Sequence, residues 1–252
     1  MLDALRARLQ QGQRTIDFPR GAPILPPGFR GLPVLQPERC ADGCRACIEA
    51  CPTGALAAEP SLALDLGRCL FCTDCVDACP TDAVRFTSGH RLAARRREEL
   101  TQLGVDPLPA VEALEREALR LFGRSLRLRQ VSAGGCNACE ADVAVLNTVV
   151  FDLGRFGIQF VASPRHADGL LITGAVTKNM RKALRETYDA IPDPKLVIAV
   201  GACAISGGPY IDHPEVENGA DGVVPVDLYV AGCPPHPITI LDGLLSLLGR
   251  LE

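Results

Sequence analysis

The sequence lacks the features that would place the chain across a membrane or on a nucleic acid. No apolar run approaches the ~20 residues that a membrane-spanning helix needs. Its 26 lysines and arginines are outnumbered by 30 aspartates and glutamates, and aromatic residues make up 4% of the chain. Binding to phosphates needs a basic stripe and stacking on bases needs aromatic side chains, so we expect no nucleic-acid partner. The one basic cluster, at residues 91–97, is predicted to be the solvated face of a helix.

The first residues also lack the apolar core and the cleavage site of a secretory signal peptide. Instead Leu2, Leu5 and Leu9 recur at helical spacing among arginines. This pattern predicts a short amphipathic helix. We therefore expect a cytoplasmic protein.

Cysteine, in contrast, is abundant, with 12 residues in a chain of 252. Disulfides are typical of small secreted scaffolds, and zinc explains one C-x2-C pair facing another. Neither explains well four cysteines within eleven residues that are followed by a proline. Cys69, Cys72, Cys75 and Cys79 form the run C-x2-C-x2-C-x3-C-P of bacterial ferredoxins. The spacing therefore favours [4Fe-4S] clusters, with a two-zinc arrangement as the alternative.

A related run, at Cys40, Cys44, Cys47 and Cys51, precedes the run at residues 69–79 in the chain. This first run has one extra residue in its first gap. Gly43 can take up that bulge because glycine tolerates a positive φ. The segments CIEACPTGAL and CVDACPTDAV repeat each other, as expected of a duplicated two-cluster fold. In such pairs the fourth cysteine of each run binds the cluster of the other run. The predicted ligand sets are Cys40, Cys44, Cys47 with Cys79, and Cys69, Cys72, Cys75 with Cys51.

The second half of the chain alternates strand and helix patterns. The run LVIAV is apolar throughout, as a strand buried on both faces of a parallel sheet should be. We predict an α/β fold with a flavodoxin-like parallel sheet, preceded by an α+β ferredoxin domain with two [4Fe-4S] clusters. The strands are predicted near 126–132, 157–162, 169–173, 196–200 and 224–230, and the helices near 138–150, 177–190 and 236–248.

Four cysteines remain, and each lies just after a predicted strand: Cys136, Cys139, Cys203 and Cys233. Open parallel sheets bind ligands beyond the carboxyl ends of their strands, so these four can converge on one further cluster. Small neighbours such as Gly135 and Gly201 let the backbone approach the sulfides and donate hydrogen bonds to them. Taken alone, Cys203 would more often be an inert buried thiol.

Residues 88–125 connect the two halves. The stretch PAVEALEREALRLFG predicts a helix that begins near Pro109 and ends near Gly123. It contains no Ser/Gly-rich segment, which favours a packed connector over a flexible tether. The predicted domains are a ferredoxin-like domain at 1–90, a helical connector at 91–125 and an α/β domain at 126–252.

Both halves resemble subunits of known redox complexes. The segments RSLRLRQVSAGGCNACEADV, GACAISGGPY and VPVDLYVAGCPPHPITILDGLL resemble the small subunit of energy-converting, membrane-associated [NiFe] hydrogenases of the formate hydrogenlyase type (group 4). They are also similar to the homologous subunit of respiratory complex I. The segments FPRGAPILPPGFRGLPVL and DLGRCLFCTDCVDACPTDAV resemble the ferredoxin-like subunit of the same complexes. The two-residue gap between Cys136 and Cys139 favours the hydrogenase type, because complex I subunits have adjacent cysteines there.

The resemblance implies an oxidoreductase subunit with three [4Fe-4S] clusters that relays electrons to a catalytic metal on another chain. Cys136, Cys139, Cys203 and Cys233 would bind the proximal cluster, next to a [NiFe] hydrogenase-like large subunit. Further partners would be membrane subunits and a donor module such as formate dehydrogenase, carbon monoxide dehydrogenase or ferredoxin. The chain would then lie at the inner membrane, held there by its partners. The alternative is a complex I-like or nickel-free complex that reduces quinone or pumps ions.

Three other polar residues near these cysteines lead to weaker expectations. Glu140 follows Cys139, and a carboxylate beside a buried cluster is expected to have a raised pKa and could steer protons. A glutamate in the first turn of a helix is also common for dipole reasons. His166 and His236 are expected to be structural or interfacial residues.

Overall fold

A computed structural model describes residues 2–58 and 61–251. The strands are β1 (Pro33–Leu35), β2 (Leu56–Ala57), β3 (Ala63–Asp65), β4 (Val84–Phe86), β5 (Ala93–Ala94), β6 (Thr101–Gln102), β7 (Leu126–Ser132), β8 (Ile158–Phe160), β9 (Gly169–Thr173), β10 (Leu196–Val200) and β11 (Leu228–Val230). The helices are α1 (Leu2–Gln11), α2 (Ala46–Glu49), α3 (Asp74–Asp77), α4 (Arg116–Phe122), α5 (Ala138–Val145), α6 (Lys178–Asp189), α7 (Ala202–Ser206) and α8 (Pro237–Leu247). None of the helices in these ranges has the length and apolar character needed to cross a bilayer.

The second half of the chain forms a six-stranded sheet in the order β5-β11-β10-β9-β7-β8. The strands from β7 to β11 are parallel, and β5 pairs antiparallel with β11 at one edge. Counted from β7, the parallel strands follow the order 2-1-3-4-5, which is the flavodoxin-like arrangement. The predicted fold class is confirmed. The predicted strands and helices of this half are present, although α5, β8 and β11 are shorter than expected.

The central strands β9 and β10 are buried on both faces, as their apolar sequences predict. Side chains alternate between faces along a strand, and here they enter two separate cores. Leu170 and Ile172 pack in a core that also contains Leu35 of β1 and Leu64 of β3. Leu171 packs on the opposite face, in the core that contains α8. The ferredoxin-like part therefore shares a core with one face of the large sheet.

The segment from β5 to β6 ties the two halves together. After β5 has joined the large sheet, β6 pairs with β3 in the three-stranded sheet β2-β3-β6 of the ferredoxin-like part. Between them, Arg97 donates two hydrogen bonds of 2.7 Å to the carboxylate of Asp65. Arg95 donates to the Asp227 carbonyl at 2.9 Å. The expectation that residues 91–97 form a solvated helix face is wrong, because strand pairing and these bonds hold the segment between the sheets.

The Arg97 bond to Asp65 should contribute measurably to stability. Its two parallel bonds join partners that are each about three-quarters buried. We expect Arg97→Ala to lower the free energy of unfolding by about 1.5–3 kcal/mol in a denaturant titration. Arg96→Ala is the matched control, since Arg96 is 65% exposed and, among the residues that the structure describes, its side chain pairs with its neighbours Glu98 and Glu99. An equal loss in both variants would contradict this prediction.

The connector is less helical than expected. Helix α4 covers Arg116–Phe122, whereas residues 107–115 have no helix. The reason is tertiary: the backbone N–H of Leu114 donates to the Leu247 carbonyl at the end of α8, and the Leu114 side chain is buried. This contact holds the segment extended against α8. The domain boundaries at 1–90, 91–125 and 126–252 stay a prediction. At the N-terminus, α1 forms as predicted, and none of its described side chains is buried.

Candidate iron-sulfur sites

Three cysteines of the first ferredoxin run and one cysteine of the second run line a cavity of about 380 Å³. The cavity is lined by the thiols Cys40, Cys44, Cys47 and Cys79. Burial raises the pKa of Cys47, and the nearby charges of Cys79 and Cys40 raise it further. Gly43, in the longer first gap, has a φ of +72°, as the bulge required. The structure thus brings together the predicted first set.

In the same way, cysteines of the second run lie near Cys51. Burial raises the pKa of Cys69 to about 12, and the charges of Cys75, Cys51 and Cys72 add to that rise. Burial likewise raises the pKa of Cys75 to about 11, followed by the charges of Cys51 and Cys72. The backbone N–H of Phe71 donates to the Cys69 thiol at 3.3 Å. Cys51, from the first run, therefore lies with the second set.

Cys51 and Cys79, the last cysteines of the two runs, each lie with the other run. The two have the same local geometry, because the sequence around them is repeated. The backbone N–H of Ala55 donates to the Cys51 sulfur at 3.2 Å, and that of Ala83 donates to the Cys79 sulfur at 3.2 Å. The threonine two residues after each cysteine places its hydroxyl 3.9 Å from the sulfur. Sequence reasoning missed these threonines, although the shared letters CPT could have pointed to them. Hydrogen bonds of this kind stabilise thiolates and tune the potential of a bound cluster.

The last four cysteines meet at the carboxyl edge of the large sheet. Cys136 lies in the loop between β7 and α5, and Cys139 lies in the first turn of α5. Cys203 lies in α7 after β10, and Cys233 follows β11. Burial raises the pKa of Cys203 to about 12, and the charges of Cys233 and Cys136 raise it further. Burial and the charge of Cys203 likewise raise the pKa of Cys139. Cys136 is the exposed member of this third set.

Glycines keep space open around the third set. A Cβ at Gly201, whose φ is +90°, would lie 2.6 Å from the Cys139 sulfur. A Cβ at Gly208, whose φ is +56°, would lie 2.8 Å from the Cys203 sulfur. Both distances are too short for real Cβ contacts. The backbone therefore approaches these sulfurs at points that only glycine permits.

Each set of four thiols fits an iron-sulfur cluster. A buried thiol with a raised pKa stays protonated at neutral pH unless a cation stabilises the thiolate, and the irons of a cluster would supply that charge. The backbone donors and the glycine clearances add the surroundings that sulfides need. Within residues 2–58 and 61–251, no three His, Cys, Asp or Glu side chains are close enough to share one metal ion.

The second and third sets lie next to each other. Burial and the charge of Cys136 raise the pKa of Cys233, and the charge of Cys72 from the second set adds to this rise. Arg30 holds the loop of the second set, because it donates to the Phe71 carbonyl at 2.8 Å and to the Cys72 carbonyl at 3.2 Å. A cavity of about 300 Å³ between them is lined by Arg30, Phe71 and Cys233. Sequence reasoning gave Arg30 no role.

The expectation of a raised pKa for Glu140 is wrong. Burial raises the pKa of this carboxyl, but hydrogen bonds from Ser132 and Thr173 outweigh burial and hold it below its usual value. The two hydroxyls donate to Glu140 Oε1 at 2.5 and 2.7 Å. They come from the ends of β7 and β9, which the fold brings together. His236 has a structural role, since its Nδ1 accepts the Ile238 N–H at the start of α8, while His166 ends a short 3-10 turn.

Comparison with known proteins finds a matching family for each half of the chain. A family described as NADH ubiquinone oxidoreductase, 20 Kd subunit, matches residues 136–247, and a 4Fe-4S dicluster domain matches residues 39–83. The probable membrane-bound hydrogenase subunit mbhJ of Pyrococcus furiosus is 41% identical over 132 residues, which cover 52% of this chain and 79% of that protein. The chain belongs to the NADH ubiquinone oxidoreductase 20 kDa subunit family. The predicted fusion of such a subunit with a two-cluster ferredoxin-like part is confirmed.

Other members and relatives of the 20 kDa subunit family match part of the chain. Formate hydrogenlyase subunit 7 of Escherichia coli is 44% identical over 143 residues, which are 57% of this chain and 56% of that protein. The chain thus spans about half the length of this relative. A solved chain of the archaeal membrane-bound sulfane sulfur reductase is 38% identical, with 55% of this chain and 77% of that chain covered and a TM-score of 0.47. A solved chain of an NAD+-reducing [NiFe]-hydrogenase is 26% identical, with 51% of this chain and 94% of that chain covered and a TM-score of 0.40.

The relatives that match this chain are named as subunits of a formate hydrogenlyase and of a membrane-bound hydrogenase, in agreement with the expected oxidoreductase subunit. The dicluster domain accounts for two [4Fe-4S] clusters, in the region that holds the first two cysteine sets.

Proposed function

We propose that this chain is the electron-relay subunit of a membrane-associated [NiFe]-hydrogenase-type complex whose catalytic metal is on another chain. The observation that carries the proposal is the proximity of the second and third cysteine sets, since Phe71 in the loop of the second set and Cys233 of the third set line the same cavity. Bound [4Fe-4S] clusters accept and release single electrons. The formate hydrogenlyase and membrane-bound hydrogenase relatives support the hydrogenase assignment.

The chain's own residues would hold and insulate three clusters. Backbone N–H groups such as those of Ala55, Phe71 and Ala83 donate to the sulfurs, and apolar packing limits access of water. The ligand sets are Cys40, Cys44, Cys47 with Cys79, then Cys69, Cys72, Cys75 with Cys51, and finally Cys136, Cys139, Cys203 with Cys233.

The exposed side of each terminal set would face a partner. Cys136 is exposed at the sheet edge, where a large subunit with the catalytic metal would dock. The cavity at Cys40 and Cys44, at the opposite end of the series, would face the donor module. That donor would be formate dehydrogenase, carbon monoxide dehydrogenase or ferredoxin, and membrane subunits would hold the assembly at the bilayer.

A second candidate is a nickel-free complex that reduces quinone or pumps ions. The description of the matching family as a subunit of NADH ubiquinone oxidoreductase favours it. The C-x2-C spacing of Cys136 and Cys139 favours the hydrogenase type instead.

Anaerobic purification of the complex through a tag on this chain tests the proposal. We expect about 12 irons and about 12 sulfides per copy of this chain, because each [4Fe-4S] cluster contains four of each. We also expect nickel in a copurifying subunit and viologen-linked hydrogen production or uptake. A complex that contains no nickel, reduces quinone and does not turn over hydrogen would support the second candidate. Zinc without iron or sulfide would overturn the cluster assignment.

A further inference from the structure

The segment before β1 contacts the second and the third cysteine sets through two consecutive residues. The ring of Phe29 packs edge-on against the ring of His236, with 5.4 Å between the ring centres. His236 follows Cys233 of the third set by three residues. Arg30 donates from one guanidinium nitrogen to two carbonyls in the loop of the second set. This segment therefore lies at the junction between the two sets.

The backbone that follows Arg30 is fixed, although Arg30 itself is an exposed residue. The N–H of Gly31 donates to the Thr87 carbonyl at 2.8 Å, and that of Leu32 donates to the Gly89 carbonyl at 2.7 Å. A Cβ at Gly31 would overlap the Gly89 carbonyl oxygen, so a glycine is needed for the two backbones to come this close. The guanidinium of Arg30 is therefore presented to the second set from a rigid support.

Phe71 is the residue through which Arg30 reaches the second set. Its backbone has a φ of +54°, a left-handed conformation that is unfavourable for a bulky side chain. Three contacts hold it there: its carbonyl accepts from Arg30, its N–H donates to the Cys69 sulfur, and its ring lies 5.8 Å from that of Phe86. Hydrogen bonds to the sulfurs are one of the factors that set the potential of a cluster. The bond from Arg30 thus helps to keep the Phe71 N–H on a cluster ligand.

Arg30 also brings a positive charge to this loop. In the part of the chain that the structure describes, no carboxylate forms an ion pair with Arg30, whereas Arg68 pairs with Asp65 at 3.8 Å. The carboxylate of Asp142, on helix α5 of the third set, lines the cavity that Arg30 shares with Cys233. Reduction adds one negative charge to a cluster, and a nearby positive charge stabilises that form. The charge of Arg30 therefore favours an electron on the second set.

We propose that Arg30 is a positioning residue that raises the midpoint potential of the second cluster, so that this cluster accepts the electron that passes on to the third set. It holds the Phe71 N–H on Cys69, and its charge stabilises the added electron. One electron passes from the first cluster, which is oxidised, to the second, which is reduced, and no bond forms or breaks. This rests on the proposed relay, in which electrons enter at the first set, while the second cluster itself belongs to the dicluster domain.

A redox titration followed by electron paramagnetic resonance tests the proposal on the complex, purified anaerobically through a tag on this chain. The signal of the second cluster is the one that Cys69→Ala removes. We expect Arg30→Gln to lower the equilibrium constant for reduction of this cluster by about threefold or more, which is about 28 mV at 59 mV per tenfold change. Iron content should stay at about 12 per chain. Arg30→Lys keeps a charge and a donor and should retain most of the parent potential.

Arg85→Gln is the matched control. Arg85 is an exposed residue of β4 whose guanidinium donates to the Gln36 side chain at 3.4 Å. It is not among the described residues that line the cavity at Cys233. This variant removes the same charge from the same part of the chain and should leave the potential of the second cluster unchanged.

Three results would overturn the proposal: an unchanged potential in Arg30→Gln, an equal fall in Arg30→Lys, or an equal fall in Arg85→Gln. If Arg30→Gln loses the second cluster, Arg30→His takes its place, because a histidine loses its charge as the pH rises through about 6.5. Its potential should then fall further below that of the parent complex between about pH 5 and about pH 8, and a constant difference would contradict the role of the charge. A complex without nickel would count against the proposed function alone, since the second cluster can be titrated in either complex.

Discussion

A chain with both Cys47→Ala and Cys79→Ala should lose one cluster, whereas a chain with both Cys75→Ala and Cys79→Ala should lose two. The structure places Cys79 in the cavity of Cys40, Cys44 and Cys47, not with the other members of its own run. Removal of Cys47 and Cys79 therefore takes two ligands from one set and none from the other. Removal of Cys75 and Cys79 takes one ligand from each of two sets, so that each of the two clusters lacks one of its four thiolates.

Iron and sulfide content, measured anaerobically, separates the two double variants. We expect about 8 irons per chain for the first and about 4 for the second, against about 12 for the parent chain, because each lost cluster removes four irons. The single variant Cys79→Ala is the control and should match the first double variant. The reverse order, with more iron left in the second double variant, would mean that each run binds its own cluster alone. Electron paramagnetic resonance would show any three-iron cluster left behind.

The sequence predicted the parts of the fold that local pattern determines. The strands of the large sheet and the helices α5, α6 and α8 follow from hydrophobic periodicity, because their buried faces leave a regular trace in the chain. Cysteine spacing predicted which cysteines lie together in the first two sets for a similar reason, since a tight loop can reach only certain irons. The positions of the last four cysteines after strands predicted that they meet, because parallel strands end at one edge of a sheet. That each set binds a cluster stays a prediction.

What the sequence did not reveal depends on pairing between distant segments. Strands β5 and β6 have two residues each, too few for any periodicity, and they exist because β11 and β3 offer free edges. The segment before α4 has helical spacing but is drawn into an extended shape by the bond of Leu114 to Leu247. The lowered pKa of Glu140, on helix α5, depends on hydroxyls from strands β7 and β9. In the first two cases the deciding partner is far away in the sequence, and for Glu140 one of the two partners, Thr173, is 33 residues away.

Gly201→Ala should remove the third cluster, although the new side chain is a single methyl group. The Cβ would lie 2.6 Å from the sulfur of Cys139, and the φ of +90° is one that alanine rarely adopts. Residue 201 is held on both sides, since its N–H donates to the Val230 carbonyl and Ala202 donates to the Gly232 carbonyl. The backbone cannot move away without breaking contacts of β10 with β11. The sulfur must therefore move, and the cluster would lose a ligand.

Gly43→Ala separates backbone strain from this steric effect. Gly43 also has a positive φ, of +72°, but a Cβ there would meet no atom within 4 Å. Its substitution should cost about 1–2 kcal/mol of stability and leave all three clusters in place, because only the left-handed backbone is penalised. We expect about 8 irons per chain for Gly201→Ala and about 12 for Gly43→Ala. Equal iron in the two variants would mean that the space beside Cys139 is not needed for a cluster, and the third ligand set would then have to be assigned anew.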